Sequence, residues 1–72
     1  MSDYHINIFA SKEDGGDIAD IPDLAHCSAF GATPEEALTQ ALIAQATWID
    51  AAAALGKPIP KPKYRPAIDQ MA

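Results

Sequence analysis

Hydrophobic and polar positions alternate over residues 4–9: Tyr4, Ile6 and Ile8 fall on one side, His5, Asn7 and Phe9 on the other. Period-two alternation in a stretch rich in β-branched and aromatic residues predicts a strand. Residues 10–16 are polar and end in Gly15 and Gly16, which predicts a hairpin loop longer than the two-residue ideal. A second short strand follows over 17–21, although Ile18 and Ile21 fall on opposite faces, and Pro22 with Asp23 ends it. Residues 24–26 connect it to a third short strand over 27–30, closed by Gly31.

The period then changes. Thr33-Pro34-Glu35-Glu36 has the form of a helix start: Thr as N-cap, Pro at the first helical position, and Glu three residues after the Thr to complete a capping box. The two carboxylates suit the positive end of the helix dipole. The helix is expected over 34 to about 55, with Gly56 as left-handed C-cap, Lys57 beside the negative end and Pro58 just beyond. One arc of this helix collects Ala37, Leu38, Ala41, Leu42, Gln45, Trp48, Ile49 and Ala52, and should cover the sheet. The opposite arc holds Gln40, Ile43, Thr47, Asp50, Ala51 and Ala54, and Asp50 is the one charge between Ala37 and Gly56. A surface helix normally loads its outer arc with Lys and Glu. An uncharged one is covered on both sides or carries a contact patch, unless alanine was placed there for helix propensity alone. The candidate interface residues are therefore Ile43, Thr47, Asp50, Ala51 and Ala54.

Residues 58–66 carry Pro58, Pro60, Pro62 and Pro66, and such spacing favours an extended, polyproline-like path. A short fourth strand over 64–68 is possible, confined to a sheet edge by Pro66. Tyr64 and Arg65 join the candidate interface there. The expected division is a β-β-β-α domain over 1–57 and a proline-rich extended tail over 58–72. The fold class is α+β: a three- or four-stranded antiparallel sheet packed by one long helix.

Size and charge narrow the function. A 72-residue chain is at most one domain, and one of this length buries only about 60% of the surface its unfolded chain exposes. Small folds usually add a disulfide, a metal or a partner. Cys27 is the single cysteine, so neither an intrachain disulfide nor a cysteine-rich zinc site can form, and oligomerisation or a partner chain is expected instead. Ten acids and five bases give a formal net charge of −5. They are unevenly spread: residues 1–50 hold nine acids against Lys12, while residues 51–72 hold Asp69 against Lys57, Lys61, Lys63 and Arg65. An acidic body disfavours direct nucleic-acid binding and suits a basic partner, or simply favours solubility. No stretch is apolar enough to span a membrane or to serve as a signal peptide, and a lone thiol suits the cytoplasm.

Candidate chemistry is thin. His26-Cys27 invites a nucleophilic reading, but neighbours in a strand point to opposite faces, so the imidazole is badly placed to activate the thiol. His5 and His26 have no evident third metal ligand. Asp14-Gly15-Gly16-Asp17 lacks the spaced acids and terminal Glu of a calcium loop, and Gly15-Gly16 lacks the Gly-Lys-Ser/Thr of a phosphate loop. Lys61, Lys63 and Arg65 with Tyr64 make a small basic-aromatic cluster, too few bases for a nucleic-acid footprint. No enzyme, cofactor or metal site is expected.

The ordered set of junctions resembles the HicB family of antitoxins. The residues that carry the resemblance are Tyr4-His5-Ile6-Asn7-Ile8-Phe9, then Asp14-Gly15-Gly16-Asp17-Ile18-Ala19-Asp20-Ile21-Pro22-Asp23-Leu24, Cys27-Ser28-Ala29-Phe30-Gly31 and Thr33-Pro34-Glu35-Glu36-Ala37-Leu38. Ala44, Trp48, Gly56-Lys57-Pro58-Ile59-Pro60 and Tyr64-Arg65-Pro66 continue it over nearly the whole chain. The resemblance implies a β-β-β-α fold and an oligomeric protein that binds a small basic mRNA-cleaving toxin of HicA type and neutralises it by stoichiometric occlusion. Many members have Pro-Gly before the Cys, where this chain has Ala25-His26, and an Asp before the capping Thr, where it has Ala32. Longer members add a C-terminal DNA-binding domain; the short form without one is expected here. The alternative is a stand-alone homo-oligomeric adaptor or regulatory domain with no toxin partner.

Overall fold

The computed structural model describes residues 4–63. Three strands, β1 (Asn7–Ser11), β2 (Gly16–Asp20) and β3 (Ser28–Gly31), form an antiparallel sheet in the order β1-β2-β3, and one helix, α1 (Pro34–Ala54), packs on one side of it. The fold is α+β. The expected fourth strand lies outside the described residues.

β1 and β3 begin later along the chain than the alternation predicts, by three residues and one, and β2 begins one residue earlier. β1 starts at Asn7 because its last ladder partner is Asp20. Beyond Asp20 the chain turns: Leu24 donates to the Ile21 carbonyl, Cys27 to the Leu24 carbonyl and Ile21 to the Cys27 carbonyl. Tyr4 to Ile6 therefore lie outside β1, with no strand paired to them among the described residues, yet Tyr4 is buried and Ile6 packs on the core. The hairpin loop shrinks to residues 12–15, closed by Gly15 donating to the Ser11 carbonyl.

Side chains alternate across the sheet. Ile8, Ala19 and Ala29 share the helix-facing side, and Phe9, Ile18 and Phe30 share the other. The core is small: Tyr4, Ala19, Ile21, Leu24, Cys27, Ala37 and Ala41, of which Ile21 and Leu24 are the largest fully buried side chains.

The helix meets the sheet through alanines because the approach is very close. A Cβ on Gly31 would stand 2.2 Å from the Ala37 backbone nitrogen, so position 31 admits no side chain. Ala37, Ala41 and Ala52 are buried, and Ala44, Trp48 and Ile49 pack against the core. Leu38 and Leu42, expected on the buried arc, are 38% and 49% exposed. So tight a seam has room for small residues at its centre and leaves the leucines on its flank. The helix also lies over β2 and β3 and barely over β1, which leaves Ile8 exposed although it faces the helix side.

Both ends of α1 are capped. Thr33, with extended backbone, accepts from the Glu36 N–H at 3.1 Å. The Glu36 carboxylate reaches back one residue further than a capping box requires, to the Ala32 N–H at 3.0 Å. At the other end Gly56 has φ +69, and the Gly56 and Lys57 amides donate to the Ala53 and Ala52 carbonyls, the paired bonds of a Schellman motif. The chain then returns along the body: the Tyr4 hydroxyl donates to the Pro60 carbonyl, and the Lys63 amide donates to Asp23.

Candidate interaction surfaces

Two surfaces of α1 and the sheet are left uncovered among the described residues. The first is the outer arc of the helix. Ile43 is 56% exposed, and Thr47, Asp50, Ala51 and Ala54 are exposed beside it. Helical geometry puts these five on one contiguous arc. Ala51 also lines a groove of about 370 Å³ with Trp48, Ala52, Leu55, Lys57 and Pro58 at the C-terminal end of α1. Tyr64 and Arg65, the remaining candidate interface residues, lie outside the described residues.

The second surface is the side of the sheet away from the helix. Register makes one row of Phe9, Ile18 and Phe30, and the next of Asn7, Asp20 and Ser28. Phe9 is 50% exposed and Phe30 46%, an unusual cost for two aromatic side chains unless something covers them. Gly16 shapes this surface. A Cβ there would come within 2.6 Å of the Phe30 ring, so the ring lies across the bare backbone of the hairpin. Phe30, Ile18, Ser28, Ala29 and Asp14 line an open groove of about 420 Å³. Ser11 donates to Asp14 at 2.8 Å, which fixes that carboxylate at the groove. Asp20 stands two residues from Ile18 on the same face, roughly 7 Å along the strand. No Lys or Arg occurs in any of the three strands. The signal available in the sequence was the alternation itself, which put Phe9 opposite Ile8; the pairing of Phe9 with Phe30 across Ile18 needed the register.

The residues weighed for catalysis are kept apart. His26 sits in a left-handed turn with φ 57 and is exposed, while Cys27 is buried. Burial pushes the Cys27 thiol up from its ordinary pKa, and the Asp20 carboxylate adds to the shift. A thiol raised in this way is a poor nucleophile. His5 bonds Asn7 through Nε2 at 2.8 Å. Among the described residues no three of His, Cys, Asp or Glu gather as a metal site would require. No helix among them is long and apolar enough to cross a membrane.

Comparison with protein-family models, with curated proteins and with solved structures finds no match for this chain.

Proposed function

We propose that this chain is an antitoxin-like binding protein of HicB type, which neutralises a small basic mRNA-cleaving toxin of HicA type by stoichiometric occlusion. The observation that carries the reading is an uncovered apolar surface set in an acidic body: Phe9 and Phe30 stand half exposed on a sheet whose charged residues are all acids. Apolar contact holds a partner, and the surrounding charge selects a basic one.

The backbone at position 26 supports the resemblance. HicB-like chains often have Gly before the Cys. Here the residue before Cys27 is His26, whose φ of 57 is a conformation glycine adopts without strain. The β-β-β-α order is the one the resemblance implies.

The test is inhibition of RNA cleavage by a small basic ribonuclease of HicA type, taken from beside this gene where one is encoded there, titrated with this protein. Cleavage should stop near equimolar ratio, with a mixed complex in size-exclusion chromatography with light scattering. Cleavage that persists at stoichiometric excess overturns the reading. A second reading, a homo-oligomeric adaptor, is favoured by Leu42 and Ile43, two large apolar residues exposed on a helix whose one charge beyond its first turn is Asp50. A homo-oligomer that ignores the ribonuclease would select it.

A further inference from the structure

We propose that the open face of the sheet is a docking surface for an arginine side chain of a cationic protein segment, seated over Ile18 between Phe9 and Phe30, paired with Asp14 at the groove and attracted by the further negative charge of Asp20 on the same face. The proposal rests on the binding-protein reading above and names the surface and the chemistry through which the partner is taken.

Geometry gives the shape of the seat. Phe9 and Phe30 lie on the two outer strands, each opposite Ile18 on the central one. Adjacent strands are about 4.8 Å apart, so the two aromatic positions are roughly 10 Å from each other with an aliphatic floor between. That span is side-chain sized. The three residues together offer roughly 200–300 Å² of uncovered surface, against the ~800 Å² per partner that a stable protein interface buries. One inserted segment fits such a patch; a large flat dimer does not.

Charge decides the occupant. Asp14 lines the groove beside Phe30, and Asp20 stands on the same face beside Ile18. A second copy of this chain would set the same acids against each other with no strand-borne base to offset them. A guanidinium answers both features at once, stacking on an aromatic face and pairing with a carboxylate. Lysine can supply the charge but not the planar stacking, so the surface should discriminate between the two.

The experiment uses the full chain and two probes, a deca-arginine and a deca-lysine peptide, with amide chemical shifts to locate the site. The arginine peptide should move the amides of Phe9, Ile18, Asp20 and Phe30 and bind about fivefold or more tightly than the lysine peptide. Phe30→Ala, Phe9→Ala and Asp20→Asn should each weaken it, the aromatic changes by about tenfold. Circular dichroism checks that each variant is folded, and Phe9 and Phe30 give independent variants should one fail. Ala46→Glu, exposed on the helix and outside the candidate interface residues, should leave the affinity no weaker. Shifts confined to the helix, equal affinity for the two peptides, or loss of self-association on Phe30→Ala would each overturn the proposal, the last by making a second copy the occupant. The ribonuclease titration separates this failure from that of the antitoxin reading. Inhibition that survives Phe9→Ala and Phe30→Ala sinks the surface and keeps the function, whereas arginine-selective docking without inhibition does the reverse.

Discussion

His26 holds a conformation that ordinarily belongs to glycine. Its φ of 57 is imposed by the turn around it, where the amides of Leu24, Cys27 and Ile21 are all committed to hydrogen bonds. The neighbouring Ala25 carbonyl accepts the Trp48 indole N–H at 3.0 Å, so the turn is also tied to the helix. A non-glycine residue in this region costs about 1 kcal/mol or more. His26→Gly removes that cost, and its effect should exceed the glycine's greater freedom in the unfolded chain by a few tenths to about 1 kcal/mol. The expected outcome is a higher midpoint in urea with unchanged slope, and His26→Val should move the midpoint the other way. A lower midpoint for the glycine variant would mean that the imidazole makes contacts worth more than the strain. Beside it Cys27 points inward, and its raised pKa is a consequence of the same turn: the backbone that exposes one side chain buries the next.

At the scale of elements, the helix shows what the sequence could specify and what it could not. Thr33, Glu36 and Gly56 act through bonds to residues within five positions and Pro34 through its own fixed φ, so the two ends of the helix are legible to within a residue. The strands were legible as strands because alternation is local, but their limits depend on partners: β1 cannot begin before Asn7 when β2 ends at Asp20. The helix's inner stripe is legible at Ala37, Ala41, Trp48, Ile49 and Ala52, but the expected arc is too wide at Leu38 and Leu42, for a similar reason. Hydrophobicity favours Leu38 and Leu42 over alanine, yet the contact with Gly31 brings the backbones so close that Ala37 and Ala41 take the seam. The uncovered row of Phe9, Ile18 and Phe30 was hidden because it joins residues from three strands, and only the register assembles it. Ile43, a candidate interface residue from its place on the outer arc, is exposed. Ile43→Glu should therefore change the unfolding free energy by no more than about 0.5 kcal/mol while weakening self-association or partner binding at this arc, read by light scattering. Equal loss of stability and association would place Ile43 in the core.

The whole molecule joins a small core to a lopsided charge. Its extents of 37 × 33 × 19 Å describe a slab one sheet and one helix thick, and a slab buries little. Ile21 and Leu24 are the largest side chains fully removed from water, and each such side chain contributes about 1.5–3 kcal/mol. Any partner that binds the folded form adds stability by mass action, so binding and folding are linked in a protein of this shape. The charges are long-ranged where the apolar contacts are not. Eight acids lie among residues 4–50 with Lys12 as the one base there, and Lys57, Lys61 and Lys63 follow the helix. A cationic partner would thus be drawn to the acidic body and turned away from the lysines that follow the helix before any contact forms. Such steering acts on association and is screened within about 10 Å at 0.1 M salt. For a basic partner measured by stopped flow, the association rate should fall by about tenfold or more between 0.02 and 0.5 M salt. The dissociation rate, set by burial of Phe9 and Phe30, should change far less. Replacing Asp20 and Asp14 by Asn should flatten the salt dependence of association, whereas Phe30→Ala should raise dissociation and leave that dependence intact. An association rate indifferent to salt would remove the steering role of the acidic body, and the uneven charge would then serve solubility alone.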